Sequence, residues 1–503
     1  MFVRVRSLFE RGGTVRIALI GPKWNQMVNN YPPLGLAYLA AVAEQEGHDV
    51  RVHDFGLRPD RPLEAELADV LAFRPDLVGF TSMTTSQHSV EQAAAPLKEE
   101  LGVPLVIGGP HATVMPERTL SDPNFDFLVY AEGEETWREL LAALAAGDQR
   151  YDGIAGLWWK QNGRIMRNAD RPLIPDLDAL PFPARHLLEL DRYPLYAPGG
   201  ERMLTVLSSR GCPYNCSFCF KGIVGRTYRQ RSPGNIVAEL RQIVERYSVR
   251  HVYFMDDLFT IDARRLNALL DAFLAADLDM RWQCLARVDR VGPEILKKMH
   301  RAGCREIHYG VESGNLEILA ATAKHIRLDQ VEQAVKWTEE AGIAAKGYFM
   351  LGLPGDNEET MRLTIEFAAG LPLTEAMFSI ATPFPGTQLW DELLRQRPGT
   401  EYNTDFTQAY YYNSYQAEIA PFLNVSEVSD ERLSQLVLQA RQRFLDMKAR
   451  RVYHSAFGQG PGALLWRVSR WTPLRLLGRA LTRLGLFGRF RQLKNTGESA
   501  KWG

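Results

Sequence analysis

Three of the five cysteines in this 503-residue chain lie within eight positions, in the segment SSRGCPYNCSFCFKG (208–222). Cys212, Cys216 and Cys219 form the pattern C-x3-C-x2-C, and such tight spacing of thiols indicates a metal site. A structural zinc site is one interpretation, but it takes four ligands, and the neighbouring sequence supplies no fourth. Three thiolates can instead hold three irons of a cubane cluster and leave the fourth iron open to a small molecule. The spacing therefore favours an iron–sulfur cluster.

The overall composition limits the classes of protein to which the chain can belong. Hydrophobic residues make up 46% and charged residues 24%, and the formal net charge is −1. Bulk charge therefore indicates no nucleic-acid or other polyanionic partner. No apolar run reaches the roughly 18 residues of a membrane-spanning helix, and the N-terminus lacks the features of a secretory signal. We therefore predict a cytoplasmic protein of roughly two to four domains.

The first 150 residues alternate between short apolar runs and segments of helical periodicity. VRIALIG (15–21) predicts a buried strand, and PPLGLAYLAAVAEQEG (32–47) predicts a helix with proline at its start and glycine at its end. Four further strands and three further helices follow in alternation. This pattern predicts an α/β fold with a parallel sheet covered on both faces, a Rossmann-like doubly wound domain over residues 1–150.

The pattern changes after residue 150 and then resumes. Residues 151–200 predict a β-hairpin around Asn162-Gly163 and a proline-rich linker. A second strand–helix alternation over 201–395 predicts a full or partial β/α barrel like a TIM barrel, and 396–503 is predicted to be a helical region. Such barrels carry their chemistry at the carboxyl ends of the strands. The cysteine segment follows the first predicted strand of this barrel.

A C-x3-C-x2-C segment in this position resembles the radical S-adenosylmethionine (radical SAM) superfamily. Phe218, the aromatic residue before the last cysteine, also fits the family pattern. The resemblance implies a [4Fe–4S] cluster held by the three cysteines, whose open iron binds the amino and carboxylate groups of S-adenosylmethionine. Reductive cleavage then yields a 5′-deoxyadenosyl radical that abstracts hydrogen from unactivated carbon. An external electron donor of the flavodoxin or ferredoxin type is implied as well.

Two further segments offer charged side chains for the methionine part of S-adenosylmethionine. Asp256 and Asp257 end the second predicted strand, where the family places contacts to the amino group. Solvated carboxylates or a helix cap are the alternative interpretation of this pair. Arg287 ends the third strand, and its guanidinium has the shape to pair with the methionine carboxylate. A surface salt bridge is the alternative for Arg287.

Two more segments resemble the family motifs for the adenosine part. YGVESG carries Glu312 and Ser313 at the end of the fourth strand, and it resembles the ribose-contacting motif. GYFMLGLPGDNEET resembles the segment that runs along the adenine, in which Gly352 and Pro354 belong to a glycine-rich turn that lets backbone approach the ring. The resemblance spans about 203–390, and its motifs occur in the family order.

The Rossmann-like domain ahead of such a barrel is similar to the cobalamin-binding domain of cobalamin-dependent radical SAM enzymes. A dinucleotide site is the competing interpretation, but G-x-G-x-x-G is absent after the first strand. The D-x-H-x-x-G signature is absent too, so the resemblance implies a nucleotide tail bound away from cobalt with no histidine beneath the metal. Helix caps and a buried loop histidine are the alternatives for the polar candidates. The candidate cobalamin contacts are Thr81, Ser82, Gly108, Gly109, His111 and Glu132.

The C-terminal tail has an unusual charge pattern. Residues 451–497 contain nine arginine or lysine residues and no acid, and the basic residues alternate with Leu, Trp and Phe at helical spacing. This pattern predicts an amphipathic helix on an anionic membrane surface, at the inner face of the membrane. A helix docked on the barrel and a nucleic-acid patch are the alternatives.

These observations together predict a cobalamin-dependent radical SAM methyltransferase. It would transfer methyl from methylcobalamin to an unactivated carbon of a small hydrophobic substrate, through the 5′-deoxyadenosyl radical. A cyclase or ring-contraction enzyme acting on a polycyclic lipid or tetrapyrrole is the first alternative. A non-catalytic cobalamin or metal sensor that binds nucleic acid is the second, although we expect no nucleic-acid partner. The remaining cysteines, Cys284 and Cys304, are predicted to be buried structural thiols.

Overall fold

The computed structural model of the chain describes the ranges 13–23, 31–197, 199–400, 404–408, 413, 419–458 and 460–463. Two compact units are present. The first unit comprises Met1–Phe259, Asp271–Met280 and Pro383–Tyr410, and the second comprises Thr260–Leu270, Arg281–Thr382 and Tyr411–Gly503. Most of the predicted amphipathic tail, from residue 464 onward, lies outside the described residues. Among the described residues, no helix is both long enough and apolar enough to cross a membrane.

The first unit begins with a doubly wound α/β sheet. Its strands are β1 (Arg16–Gly21), β2 (Asp49–Asp54), β3 (Leu77–Thr81), β4 (Leu105–Gly108), β5 (Phe127–Val129), β6 (Leu157–Gln161) and β7 (Arg164–Arg167). The strand order is β2-β1-β3-β4-β5-β6-β7, and β1 to β5 run parallel. The order reverses between β1 and β3, and the carboxyl ends of strands at such a reversal are where ligands bind in this class of sheet.

Helices cover both faces of this sheet. They are α1 (Leu34–Gln45), α2 (Leu63–Phe73), α3 (Gln87–Leu101), α4 (Pro110–Val114), α5 (Pro116–Ser121) and α6 (Glu134–Ala146). Ile17 and Leu19 of β1 pack in one apolar layer with residues of α1 and α6. Ala18 and Ile20 pack in the other layer with residues of α2 and α3. The continuous apolar run of β1 follows from this burial on both faces, and the predicted doubly wound α/β architecture is confirmed.

The predicted hairpin is present and continues the first sheet. Strands β6 and β7 pair antiparallel, with Gln161 opposite Arg164. The two turn residues between them, Asn162 and Gly163, have φ values of 51° and 75°. Positive φ at both central positions is the geometry that favours Asn-Gly in two-residue hairpins. Because β6 also pairs antiparallel with β5, the hairpin forms the edge of the sheet.

The remainder of the chain again alternates strand and helix. In chain order its elements are β8 (Met203–Val206), β9 (Ser209–Arg210), β10 (Arg229–Gln230), α7 (Pro233–Tyr247), β11 (His251–Phe254), α8 (Ala263–Ala276), β12 (Arg281–Ala286), α9 (Pro293–Arg301), β13 (Cys304–Glu312), α10 (Leu316–Ala321), α11 (Leu328–Glu340), β14 (Ala344–Leu351), α12 (Glu358–Gly370), β15 (Glu375–Ile380), α13 (Gln388–Gln396) and α14 (Asp430–Phe457). Within the first unit, β8 pairs parallel with β11, and β9 pairs antiparallel with β10.

In the second unit, β12, β13, β14 and β15 pair in parallel in that order. Strand β14 buries alternate residues, whereas β12, β13 and β15 contain runs of consecutive buried residues. Phe349 of β14 and Phe378 of β15 are fully buried and stack with their ring centroids 5.3 Å apart. The long helix α14 is tied to α12 by the paired side chains of Arg443 and Glu366. This arrangement is the parallel β/α pattern that the sequence predicts for the radical SAM region.

Candidate functional site

The three clustered cysteines lie on the loop between β9 and β10. Cys212 is buried, and Cys216 and Cys219 are partly buried. The backbone N–H of Cys219 donates to the carbonyl of Cys216 at 3.1 Å, which closes a turn between them. Among the described residues, no group of three or more His, Cys, Asp or Glu side chains is gathered in metal-binding geometry. The donor set nevertheless fits a cluster that takes three thiolates better than it fits a four-ligand zinc site.

A cation accompanies these thiols. Burial lowers the pKa of Lys221, but the neighbouring Cys219, Cys212 and Asp257 raise it by more, so the pKa lies above its ordinary value. A positive charge beside a cysteine favours the thiolate form, which is the form that binds metal. The loop is thus electrostatically suited to present thiolates.

The two predicted aspartates hold the chain that leads into the cysteine loop. Asp256 is buried and accepts hydrogen bonds from the backbone N–H of Ser208 at 2.7 Å and from the hydroxyl of Ser209 at 2.6 Å. Asp257 accepts from the backbone N–H of Gly211 at 3.1 Å. Both acids therefore position the residues immediately before Cys212. Their contact with S-adenosylmethionine stays a prediction.

Gly211 admits no other residue in this arrangement. Its φ is +86°, and a Cβ there would lie 2.2 Å from the carbonyl oxygen of Thr227. Glycine is the residue that adopts this backbone conformation without strain. The link between Arg210 and Cys212 is therefore short and closely packed.

A cavity of about 330 Å³ lies at the carboxyl ends of the first sheet, within the first unit. Gly109 is part of its wall, with a φ of +94°, and a Cβ there would lie 2.7 Å from the hydroxyl oxygen of Thr81. The glycine thus keeps open a close approach between the ends of β3 and β4. Of the predicted cobalamin contacts, the cavity wall contains Thr81, Gly108, Gly109 and Glu132. The wall is completed from the cysteine region by Leu207, Ser209, Arg210, Ile223, Val224, Met255 and Asp257.

Two other predicted contacts, Ser82 and His111, are not among the residues that line this cavity. Ser82 is buried, and its backbone N–H donates to the carbonyl of Gly108 at 2.9 Å. The Nδ1 of His111 lies 3.2 Å from the hydroxyl oxygen of Thr84, and its ring packs edge-on against Phe406. Burial, together with nearby Arg118, lowers the pKa of His111 to about 4. His111 is therefore a neutral buried histidine at neutral pH.

A buried network of ion pairs forms part of the cavity wall. Glu132 accepts from Arg210 at 3.0 Å and from Arg229 at 2.8 Å, and Arg210 also donates to Glu134 at 2.5 Å. All four residues are less than one-tenth exposed. Burial alone would raise the pKa of Glu134, but Arg210 outweighs it and holds that pKa below its ordinary value. Both carboxylate oxygens of Glu132 are thus occupied by arginines.

In the second unit, charged groups meet after β12 and β13. Glu312 has a φ of 70°, which follows a register shift in β13, and its carboxylate pairs with the ammonium of Lys324. Both side chains are less than one-tenth exposed. Arg287 binds both oxygens of Asp289, at 2.9 and 3.3 Å, and donates to the carbonyl of Lys324 at 2.7 Å. A left-handed backbone at a residue other than glycine often marks a functional position.

The turn after β14 is fixed by a single carboxylate. Asp356 is buried, and its Oδ2 accepts from the backbone N–H groups of Gly352 and Leu353, each at 3.1 Å. Burial raises the pKa of Asp356, against the opposing effect of hydrogen bonds from the Thr360 hydroxyl and these backbone groups. Pro354 is partly buried in the same turn. The predicted adenine segment is therefore a turn organised around Asp356.

Ser313, the other predicted ribose contact, serves its own loop. It is fully buried, and its hydroxyl accepts from the backbone N–H of Asn315 at 3.1 Å. The same hydroxyl lies 3.1 Å from that of Thr364 on α12. Contacts of Ser313, Glu312 and Arg287 with S-adenosylmethionine stay predictions.

Comparison with known proteins agrees with this geometry. A model of the radical SAM superfamily matches residues 206–368, and a model of the B12 binding domain matches residues 25–141. An uncharacterised methyltransferase of Pyrococcus horikoshii is 34% identical over 419 residues, which cover 81% of this chain and 86% of that protein. The chain belongs to the cobalamin-dependent radical SAM methyltransferase family.

The relatives of this chain also include cyclases. The anaerobic magnesium-protoporphyrin IX monomethyl ester cyclase of Cereibacter sphaeroides is 27% identical over 97% of this chain and 78% of its own length. The radical SAM methyltransferase TsrM of Kitasatospora setae, solved with cobalamin and a [4Fe–4S] cluster, shares the fold. Its TM-score is 0.64 at 21% identity, over 76% of this chain and 75% of TsrM.

Family membership makes the [4Fe–4S] cluster, S-adenosylmethionine and cobalamin the cofactors of this enzyme, as predicted. The residues present fit these groups. Three thiols lie on one loop, and glycines open a cavity at the strand ends of the B12 binding domain. Like other radical SAM enzymes, it acts on a small molecule and requires a reductant.

The sequence did not predict the roles of five residues of this radical SAM enzyme. Arg210, Glu134 and Arg229 were not predicted, because their partners lie 76 to 97 residues away in the chain. Lys324, the partner of Glu312, was missed although it lies only 12 residues away. Asp356 lies within the predicted adenine segment, but the resemblance implies no role for this residue. One sequence feature could have indicated the network: Arg210 precedes the cysteine motif, and the acidic run GEE (133–135) could supply its partner.

Proposed function

We propose that this enzyme transfers a methyl group to an unactivated carbon of a hydrophobic small molecule. The observation that carries the proposal is the composition of the 330 Å³ cavity. Its wall joins the strand ends of the B12 binding domain to residues 209 and 210, which directly precede the cysteine loop. A ligand held there contacts the cobalamin side and the cluster side of the first unit together. Such an arrangement suits a reaction that draws on both cofactors.

The chain's own residues hold the cofactors, orient the cysteine loop and exclude water from the cavity. When bound, S-adenosylmethionine on the cluster supplies a hydrogen-abstracting radical, and cobalamin supplies the methyl group. Cys212, Cys216 and Cys219 would hold the cluster, and Asp257 fixes the entry to their loop through Gly211. The cavity wall is largely apolar, with Leu19, Leu36, Leu39, Val106, Ile223 and Val224 among its residues. An apolar wall excludes water from a reactive radical.

The same observations support specific cofactor contacts. Thr81, Gly108 and Gly109 are proposed to contact cobalamin, because they line the cavity at the ends of β3 and β4. Arg287, Glu312 and the turn at Gly352 are proposed to bind S-adenosylmethionine, because they lie at or beyond the carboxyl ends of β12, β13 and β14. Functional residues of β/α barrels concentrate at these ends.

A labelling experiment tests the proposal. The cluster-loaded enzyme is mixed with hydroxocobalamin and with S-adenosylmethionine that carries a deuterated methyl group, and the mixture is then reduced under anaerobic conditions. Cobalamin recovered from the protein should carry the deuterated methyl group, and so should a product formed from added lipid or tetrapyrrole extracts. Release of 5′-deoxyadenosine with a product that lacks the label would instead support a cyclase or ring-contraction reaction. That second function is favoured by the cyclase relative, which aligns with 97% of this chain.

We also propose a peripheral membrane contact through the basic segment 451–497, and electron supply by a flavodoxin or ferredoxin. The first proposal is supported by the charge pattern of the tail, which contains nine basic residues and no acid. Removal of residues 464–503 should reduce binding to vesicles that contain anionic phosphatidylglycerol and leave the iron content unchanged. Equal vesicle binding with and without the tail would contradict the membrane contact.

A further inference from the structure

The buried ion-pair network of Glu132, Glu134, Arg210 and Arg229 adjoins two different sites. Glu132, Glu134 and Arg210 line the cavity at the end of the B12 binding sheet. Arg210 also precedes Cys212 by two residues. Its guanidinium lies 5.5 Å from the ring centroid of Tyr38, another residue of the cavity wall. The network is therefore in contact with the cavity at one end and with the cysteine loop at the other.

The two arginines of the network require its two glutamates. Strands β9 and β10 place Arg210 directly opposite Arg229. Two like charges in this position repel each other, and both side chains are buried. Glu132 binds both guanidinium groups, and Glu134 binds Arg210 a second time. The pairing of β9 with β10 therefore depends on the carboxylates of Glu132 and Glu134, which belong to the cavity wall.

The connection from this network to the cysteines is stiff. Gly211 has a positive φ, no space for a side chain and a backbone N–H bound by Asp257. Arg210 is held on two sides by Glu132 and Glu134. A shift of Arg210 would therefore move Cys212, since the single residue between them cannot absorb the change without breaking these contacts.

We propose that this network is the positioning element through which cobalamin in the cavity and the cluster on the cysteine loop favour each other's binding. The proposal rests on the proposed function, because it takes these two groups as the occupants. Cobalamin against Glu132, Glu134 and Arg210 would favour the paired arrangement of the network, and a cluster on Cys212 would favour the same arrangement from the other side. Each occupant thus stabilises the arrangement to which the other binds more tightly. By linkage, the two effects on affinity are equal.

The test is the affinity of the full-length protein for hydroxocobalamin with and without the cluster. Equilibrium dialysis under anaerobic conditions gives the dissociation constant of the cluster-loaded protein and of protein freed of iron by chelation. Wild-type protein should bind hydroxocobalamin about 5- to 150-fold more tightly with the cluster present. Arg210→Lys keeps the charge but loses the planar fork that reaches two carboxylates, so its ratio should fall towards one.

Glu134→Gln provides a milder second variant, because it removes one ion pair and keeps a hydrogen-bonding amide. Its ratio should also fall, while Glu132 still neutralises Arg229. Asp126→Asn is the matched control, since Asp126 pairs with Lys98 next to the amino end of β5, the opposite end of that strand from Glu132. The control should keep the wild-type ratio.

The outcomes separate the proposal from its premise. A wild-type ratio near one, or a wild-type ratio retained in both Arg210→Lys and Glu134→Gln, would overturn the coupling and leave the network a structural clamp. Failure of wild-type protein to bind hydroxocobalamin in either state would instead contradict the proposed function. Loss of the ratio in Asp126→Asn as well would also overturn the proposal, because the effect would not be specific to the network.

Discussion

The two units assemble the charges of their candidate sites in different ways. In the first unit, the ion pairs that join Arg210 and Arg229 to Glu132 and Glu134 span 76 to 97 residues of sequence. In the second unit, Glu312 and Lys324 are 12 residues apart, and Asp356 binds backbone groups three and four residues away. The ion pairs of the first site are therefore a product of tertiary structure. The Glu312–Lys324 pair and the turn at Asp356 are local in sequence, although Arg287 reaches the carbonyl of Lys324 across 37 residues. A substitution in the ion pairs of the first unit should therefore disturb both the cysteine loop and the cavity wall. A substitution at Glu312, Lys324 or Asp356 should disturb only its own turn.

The largest effect is expected for the thiols, and it separates the units most sharply. Cys219→Ala removes one of three cluster ligands in the first unit, so release of 5′-deoxyadenosine from S-adenosylmethionine should fall below detection. The assay is chromatography of the reaction after anaerobic reconstitution. Cys284→Ala in β12 of the second unit is the matched control, since that thiol is fully buried within a strand. Cleavage that survives Cys219→Ala, or that is lost equally in Cys284→Ala, would contradict the assignment.

The next effect concerns the buried pair of the second unit. Lys324→Met leaves the carboxylate of Glu312 buried without its partner, which should lower the free energy of unfolding by about 3–5 kcal/mol. Chemical denaturation followed by circular dichroism measures this change. The double variant Lys324→Met with Glu312→Gln removes the unpaired charge and should recover most of the loss. Equal losses in the single and double variants would show that the pair does not act as a local unit.

Acid sensitivity should distinguish the first unit by its buried histidines. The pKa of His111 is about 4 in the fold, against an ordinary value of 6.5. Between these values the unfolded chain binds a proton that the folded chain does not, so stability falls as pH falls through this window. The expected loss is about 3 kcal/mol for this residue, complete below pH 4.

His111→Gln removes one such group and leaves His53, whose pKa burial also lowers to about 4. The variant should therefore show a shallower decline of the unfolding temperature between pH 6.5 and 4, but a decline that is still present. Thermal unfolding across this pH range provides the measurement. A decline as steep as that of the wild type would contradict a neutral buried His111.

The smallest effect is predicted for the turn after β14. Asp356→Ala leaves the N–H groups of Gly352 and Leu353 without their acceptor, which should cost about 1–3 kcal/mol of stability and weaken binding of S-adenosylmethionine. Asn357→Ala is the control, because it removes the helix cap of α12 and does not touch Gly352. Equilibrium dialysis with S-adenosylmethionine should detect weaker binding in Asp356→Ala alone. Equal weakening in both variants would mean that general loss of stability is responsible.

Most of the architecture was predictable because it follows from local periodicity. The apolar run of β1 and the Asn-Gly turn of the hairpin each specify their element within a few residues. Element ends were less predictable. The segment FDFLVYAEGE (125–134) predicts one of the four further strands of the first sheet, but β5 covers only Phe127–Val129. Ala131 adopts a φ of 61°, so the extended conformation ends at this residue. Ala131 is also one of the residues that line the cavity.

The candidate site was predictable only where its chemistry is local. The cysteine spacing lies within eight residues, so one segment sufficed to predict the cluster. The aspartates after β11 could be located at a strand end, but their bonds to Ser208 and Gly211 depend on the pairing of separate elements. The sequence pattern alone did not assign a role to Arg210, because its acidic partners lie 76 and 78 residues earlier in the chain.

The central claim is that three cysteines hold a cluster with one iron left open beside a cobalamin cavity. Mössbauer spectroscopy of anaerobic protein enriched in the Mössbauer-active iron isotope, with and without S-adenosylmethionine, tests it most directly. The account predicts about four irons per chain, one of which changes its signal when S-adenosylmethionine is added. Bound zinc in place of iron, or a cluster whose irons do not respond to S-adenosylmethionine, would contradict the account.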